Sequence, residues 1–349
     1  MNLIWIFYIC FEFPPCSAMG MNCVLKQIKL CYMKFYSIYS LFIFAVLLGS
    51  CSKDNSTPNN GPLAAGYSIL VNNGQVLVSG FLSENGRVTT RYWVNDKKVD
   101  STGFTGLVGN QSIFRVAVDD QFRTGYTYKD NAGVIQSYRF NQGTGAENGH
   151  IFYYLNNSMV RMNNDSIGIL STVSFHDNTP IFAGSLGVLI NNAMNRSIQP
   201  KTAFVWDGHS PINELVRPEQ STLFWGVSAV YAVGTNEVYV GGLCGIPMYW
   251  KNSDPVVLDS RYGEVWQITK SGPDVYAVGL LNKHNSNSTG HTACYWKNGT
   301  LYELEDNAQA YAICIDGEDV YISGAVGNVP VNYHPCYWKN GVRVDLPMI

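Results

Sequence analysis

The strongest constraint on this chain is a unit that recurs six times. The last two copies run AQAYAICIDGEDVYISG…HPCYWKNGVRVDL and GEVWQITKSGPDVYAVG…TACYWKNGTLYEL. Far upstream, GYSILVNNGQVLVSG aligns with the first of these without a gap, Ser68–Gly80 against Ala312–Gly324. A short apolar strand ends on a glycine at Gly80, Gly125, Gly184, Gly241, Gly279 and Gly324. An aromatic strand follows each one, centred on Tyr92-Trp93, Tyr153-Tyr154, Trp206, Tyr249-Trp250, Tyr295-Trp296 and Tyr337-Trp338. The tryptophans of successive aromatic strands from Trp206 are 44, 46 and 42 residues apart. A period of this length signals a solenoid, a propeller or an array of small units.

Each unit contains four short apolar-alternating runs, the pattern of β-strands. In the last unit, strand one (Tyr311 to Ile315) meets strand two (Val320 to Ser323) through Asp316-Gly317-Glu318. Strand three (Cys336 to Trp338) meets strand four (Val342 to Leu346) through Lys339-Asn340-Gly341, and Asn-Gly suits the positive φ angles of a tight hairpin. No stretch has the length and 3.6-residue periodicity of a good helix. Four antiparallel strands per repeat predict an all-β chain folded as a β-propeller of six four-stranded blades. Seven blades is the alternative count, because residues 126–150 are long enough to hide a further piece. A solenoid would want atypical end repeats, and here the first and last units are as regular as the middle ones.

Ahead of the repeats the chain carries an export signal. From Met33 it reads MKFYSIYSLFIFAVLLGSC, a Lys34 followed by an apolar run and the small pair Gly49-Ser50 before Cys51. The run is too short for a permanent bilayer span and fits a cleaved signal peptide over 33–50. Cys51 is then the lipidation site. Residues 1–32 are apolar, scattered with cysteines and fit no targeting logic, so they are expected to derive from a start assigned upstream of the true one. Residues 51–65 form a Pro/Asn/Ser tether expected to be flexible, and residues 66–349 form the propeller.

Charge and cysteine use exclude several classes of function. Beyond residue 50 the chain has 20 basic and 25 acidic groups, without the basic surplus that nucleic-acid binding normally requires. Cys294 and Cys336 occupy a blade position that Met248 and Phe204 fill elsewhere, and Cys314 corresponds to Leu70. With Cys244 they are expected to act as small core hydrophobes in preference to disulfides. The recurring tryptophans, fixed at one strand position, are expected to pack between blades in preference to stacking on sugars.

The VYVAG…YWKNG pattern resembles the repeats of a broad group of Bacteroidota lipoproteins, and Ala203-Phe204-Val205-Trp206-Asp207-Gly208 is similar to the core of HAF-type exported repeats. Ser52-Lys53-Asp54 resembles the short Lys-acidic signal that sends lipoproteins of that group to the outer cell surface. The resemblance implies an outer-membrane lipoprotein exposed at the cell surface, in preference to one facing the periplasm. It carries over no catalytic residue.

Functional residues are expected where the repeat varies. The connections between strands two and three cover 81–90, 126–151, 185–201, 242–247, 280–292 and 325–334, and in a closed ring they emerge on one face, the side that commonly binds. His150, His284, His291 and His334 fall there, together with Tyr128 and Tyr333. No zinc-ligand spacing, nucleophile elbow or phosphate loop accompanies them, so neither metal nor cofactor is expected. These features suggest a monomeric, membrane-anchored binding or scaffold protein for a glycan, peptide or envelope partner. A propeller-type polysaccharide hydrolase or lyase, with loop histidines as acid–base groups, is the alternative.

Overall fold

The computed structural model describes residues 63–348, apart from 85–86, 102–103, 105–112, 118–123, 141–148, 163–165, 192–195, 210, 218–223, 225, 235, 283–289 and 328–332. Cys51, the signal segment, the tether before residue 63 and His284 lie outside the described residues.

The chain forms a six-bladed β-propeller in which every sheet follows chain order. Blade one comprises β1 (Leu63–Asn72), β2 (Gln75–Glu84), β3 (Arg87–Val94) and β4 (Lys97–Val99). Blade two has five strands: β5 (Ile113–Ala117), β6 (Thr124–Lys129), β7 (Ile135–Phe140), β8 (Phe152–Leu155) and β9 (Ser158–Arg161). Blade three is β10 (Gly168–His176), β11 (Thr179–Asn191), β12 (Arg196–Trp206) and β13 (Asn213–Leu215). Blade four is β14 (Gly226–Gly234), β15 (Glu237–Leu243), β16 (Pro247–Lys251) and β17 (Asp254–Val257). Blade five is β18 (Gly263–Ser271), β19 (Asp274–Asn282), β20 (His291–Lys297) and β21 (Thr300–Asp306). Blade six is β22 (Ala308–Asp316), β23 (Asp319–Val326), β24 (His334–Lys339) and β25 (Val342–Asp345).

The tryptophan, lysine and asparagine of the YWKNG pattern each have a structural task. Trp93, Trp250, Trp296 and Trp338 are fully buried between blades. Three of their indole N–H groups reach back to the fourth strand of the preceding blade or to one of the two residues beyond it. Trp250 donates to the Val216 carbonyl at 2.6 Å, Trp338 to the Glu305 carboxylate at 3.3 Å, and Trp93 to the Pro347 carbonyl at 2.8 Å. Lys297 and Lys339 pair with Asp274 and Asp319 and lie over the rings of Tyr276 and Tyr321. The asparagine sits at φ near +50° and its amide oxygen accepts the N–H that opens strand two, at 2.8 Å from Asn340 to Val320. Asn95, Asn252 and Asn298 make the same tie to Val76, Val238 and Val275.

The Trp93 bond closes the ring. Blade six supplies Ala312, Tyr321, Tyr337 and Leu346 to the core layer that blade one completes with Ile69, Val78 and Trp93. No strand is exchanged between the first and last blades among the described residues. The same side-chain packing that joins interior blades therefore joins the ends.

The repeat glycine answers a bulge in strand one. Extra residues at Tyr67, Ser171, Ser228, Trp266 and Tyr311 break the register between strands one and two. In blades one, three, five and six the bulge turns a strand-one carbonyl toward the glycine. A Cβ on Gly279 would lie 1.8 Å from the Glu264 oxygen, and one on Gly80 would lie 1.9 Å from that of Ala65. In blade four the register places Gly242, paired with Val227 ahead of the bulge, at the equivalent position in place of Gly241, and a Cβ there would meet the Trp250 ring at 2.6 Å. Cys294 and Cys336 face Gly279 and Gly324 and are fully buried, and no disulfide joins the body cysteines among the described residues.

Two expected loops prove to be ladder. Residues 185–191 and 196–201 pair as continuations of β11 and β12, with Ser185 opposite Ala203 and Asn191 opposite Arg196. Blade two departs further. Gly125 lies in β6, between Val116 of β5 and Arg139 of β7, and does not close a strand two. The Asn156 amide oxygen accepts the N–H of Ser137, the tie that marks the start of strand two elsewhere, so β7 is strand two of this blade. The aromatic strand β8 keeps its expected place as strand three. The surplus element is β5, at the inner end of the sheet and fastened to blade one by the Ser79 hydroxyl, which donates to the Arg115 carbonyl at 2.7 Å.

Candidate functional site

Strand one is the innermost strand of every regular blade, so its side chains are best placed to meet across the ring. Scaffold positions repeat from blade to blade, but the strand-one positions around the bulge do not. The bulge residues are Tyr67, Ser171, Ser228, Trp266 and Tyr311, and the residue two before each is Ala65, Ile169, Gly226, Glu264 or Gln309. The aromatic bulge residues fall on blades five, six and one, and blades three and four carry serine there. Blade two contributes Arg115 from its surplus strand β5.

These side chains form one contiguous cluster. The Arg115 guanidinium lies 4.5 Å from the centre of the Tyr67 ring. Tyr67 stacks on Tyr311 with centroids 4.8 Å apart, and Trp266 meets Tyr311 edge-on at 5.5 Å. The Tyr311 hydroxyl donates to the Gln309 side-chain oxygen. Tyr67 in blade one feels the charge of Glu264 in blade five, and Tyr311 in blade six feels that of Arg115 in blade two. Blades one and five, like blades two and six, are not neighbours in a six-membered ring. Such pairs meet only across the axis. Glu264 and Gln309 are each the second residue of strand one, which places the cluster toward the face carrying the strand two-to-three connections.

Burial dominates the electrostatics. Glu264 is 8% exposed, and desolvation pushes its carboxyl from 4.5 up to about 7. Burial also raises the Tyr67 and Tyr311 phenols, against a smaller lowering by Arg115. The Tyr333 phenol, 3% exposed, is raised mainly by burial and then by Tyr67, which joins it to the cluster. Three polar atoms here are buried without a hydrogen-bond partner among the described residues: Arg115 Nε, Trp266 Nε1 and the Tyr333 hydroxyl. An unmade bond of this kind costs about 1–3 kcal/mol.

The residues expected from the loops fare unequally. Tyr333 sits at the end of the connection into β24, accepts the Ala64 N–H on its carbonyl oxygen, and belongs to the axial cluster. His291 opens β20 half-buried, its ring against the Asn282 side-chain oxygen, with its pKa lowered by burial. His150 bridges to Ile167 and has its Nδ1 buried without a partner among the described residues. His334 opens β24 and is exposed. Among the described residues no contact joins these histidines, and no group of three or more His, Cys, Asp or Glu is placed to hold a metal. Tyr128 is not on a loop. It lies in β6, stacked 3.8 Å from Phe175 and donating to Asn178 at 2.6 Å in the turn between β10 and β11, which is the opposite face.

The axial residues left a trace in the sequence that loop variability did not capture. Tyr67, Trp266 and Tyr311 share one offset in strand one, Glu264 stands two residues before that position in blade five, and Arg115 interrupts the apolar run of β5.

No protein-family model and no curated protein matches the chain. Among solved structures it is similar to a puromycin-hydrolysing peptidase of Mycobacterium tuberculosis, at 9% identity and a TM-score of 0.43, over 83% of this chain and 53% of the peptidase. The chain thus spans about half the length of that enzyme. It is similar to the lectin SapL1 in complex with alpha methyl fucoside, at 13% identity and a TM-score of 0.38, over 81% of this chain and 96% of the lectin. A putative oxidoreductase (glucose dehydrogenase) of Thermus thermophilus matches at 11% identity and a TM-score of 0.29, over 79% of this chain and 97% of that one. None of these likenesses is close enough to carry a statement about ligand or chemistry.

Proposed function

We propose that the chain is a lipid-anchored binding protein of the bacterial cell envelope that holds a ligand at the axial mouth of its propeller. One observation carries the reading: Arg115, Trp266 and Tyr333 each bury a donor that no described residue satisfies. Most buried polar groups are paired, as in the asparagine ties of the hairpins, and isolated exceptions such as Trp296 Nε1 occur in the scaffold, but here three unpaired donors gather in one axial cluster. The divergence of the cluster from blade to blade supports the same reading, since structural positions here repeat. Leu48-Gly49-Ser50-Cys51 and the polar tether support the anchor, and Ser52-Lys53-Asp54 favours the outer surface.

Two measurements test the two halves of the proposal. Cys51→Ser should move the protein from the membrane fraction to the soluble one, and unchanged partition removes the anchor. A thermal-shift screen against glycans and peptides should find a ligand that adds about 2.7 kcal/mol of stability at 100 times its dissociation constant. That shift should disappear in Arg115→Gln. A screen without any Arg115-dependent shift removes the binding mouth.

Glu264 favours a second reading. A buried carboxyl near 7, facing Tyr67 and Tyr311, has the properties of a general acid or base in a polysaccharide hydrolase or lyase. Release of new chain ends from a polysaccharide by the native protein, abolished in Glu264→Gln, would establish it.

A further inference from the structure

We infer that the axial mouth recognises a carboxylate carried on a hydroxylated ring, a uronic-acid type of ligand, with Arg115 receiving the carboxylate. The inference rests on the binding reading above and deepens it.

Arg115 is the starting point. It arrives on β5, the strand that breaks the repeat, at the inner end of the five-stranded blade. Its guanidinium is stacked over Tyr67 and makes no ion pair among the described residues, and its Nε is buried without an acceptor among them. A fixed planar fork held over an aromatic ring is matched by a planar acceptor such as a carboxylate. The surroundings limit the ligand's charge. Arg115 is the only cation in the cluster among the described residues, and Glu264 lies across the axis, close enough for Tyr67 and Tyr311 to feel it. One cation beside a buried acid suits a single negative charge better than the doubled charge of a phosphate.

The remaining donors describe the rest of the ligand. Trp266 Nε1 and the Tyr333 hydroxyl are both buried and both unpartnered among the described residues. Trp266 meets Tyr311 edge-on, and Tyr333 lies within electrostatic reach of Tyr67. Hydroxyl oxygens on a ring would accept from them while the carboxylate meets Arg115. Aliphatic acids would leave both donors unsatisfied.

Calorimetric titration of the full-length protein with D-galacturonate, D-galactose and inorganic phosphate tests this directly. The three probes separate carboxylate, neutral ring and bare anion. Galacturonate should bind on the order of tenfold or more tightly than galactose or phosphate, the discrimination expected of a charge-assisted pair. Arg115→Gln should erase the preference. Arg115→Lys, which keeps charge and stem but loses the fork, should retain part of it and covers the case in which the glutamine variant misfolds. Trp266→Phe and Tyr333→Phe should weaken galacturonate and galactose alike. Equal affinity for galacturonate and galactose, or a preference for phosphate, overturns the carboxylate inference and leaves the binding mouth standing. Galacturonate binding untouched by both Arg115 variants overturns it too. No heat from any of the three probes overturns the inference, whereas the binding mouth itself falls only if the wider screen also fails.

Discussion

Replacing Glu264 by glutamine keeps the shape of the side chain and removes its ability to ionise, so the two proteins should diverge only where the native carboxyl loses its proton. Burial raises that carboxyl from 4.5 to about 7. The folded state therefore holds the proton more tightly than the unfolded chain, and native stability falls as pH rises between these values. Each unit of difference corresponds to about 1.4 kcal/mol, so the full penalty is about 3 kcal/mol, reached above pH 7. It is absent below pH ~4.5, where both states are protonated. Tyr67 and Tyr311 face Glu264 and stay neutral across this range, because burial raises both phenols. Urea denaturation at a series of pH values from 4 to 8.5 reads the effect. Glu264→Gln should match the native protein near pH 4.5 and exceed it by about 3 kcal/mol near pH 8. Parallel profiles with a constant offset would refute the placement of Glu264 in a desolvated axial cluster.

Other consequences follow from the scaffold. Trp93→Phe and Trp250→Phe each remove one interblade N–H donor and leave a carbonyl unpaired, at a cost of about 1–3 kcal/mol by denaturation. Near-equal losses are expected if the ring closes by the bond used in its interior, and a much smaller loss at Trp93 would argue for an open ring. Gly279→Ala places a methyl 1.8 Å from the Glu264 carbonyl and should destabilise by about 3 kcal/mol or more. Gly299→Ala has open space and only a positive φ of 82° to strain it, so thermal unfolding should register about 1–2 kcal/mol. Asn340→Ala loses both its left-handed preference and its bond to the Val320 N–H, for about 1–2 kcal/mol, measurable as earlier amide exchange at the head of β23.

Much of the fold was legible because blades are local objects. A strand, a tight turn and an aromatic strand occupy consecutive residues, so the YWKNG pattern and its Asn-Gly turns locate hairpins without knowledge of the ring. The tryptophans and cysteines could be assigned to packing because they recur at one register, and Trp93, Trp250, Cys294 and Cys336 are buried accordingly. Blade two defeated the same logic. Its true strand two, β7, has no closing glycine among the described residues, while Gly125 before Tyr126 imitates one on strand β6. In blade four, adjacent Gly241 and Gly242 left the register open until the bulge at Ser228 paired Val227 with Gly242.

The axial cluster was harder to read for a different reason. Tyr67 and Tyr311 are 244 positions apart in the chain, yet stack because the first and last blades meet. Arg115 and Tyr311 come from blades that are not neighbours, so closure of the ring alone brings them within electrostatic reach. Loop histidines drew attention because His150, His291 and His334 stand out by residue type. Inner-strand tyrosines look like ordinary core until the bulges place them.

A crystal structure of the protein grown with D-galacturonate tests the central claim most directly. The carboxylate should lie within hydrogen-bond reach of Arg115, at roughly 2.7–3.2 Å, with ring hydroxyls accepting from Trp266 Nε1 and the Tyr333 hydroxyl. A mouth holding water alone beside an unchanged Arg115, or a sugar bound elsewhere on the propeller, would contradict it.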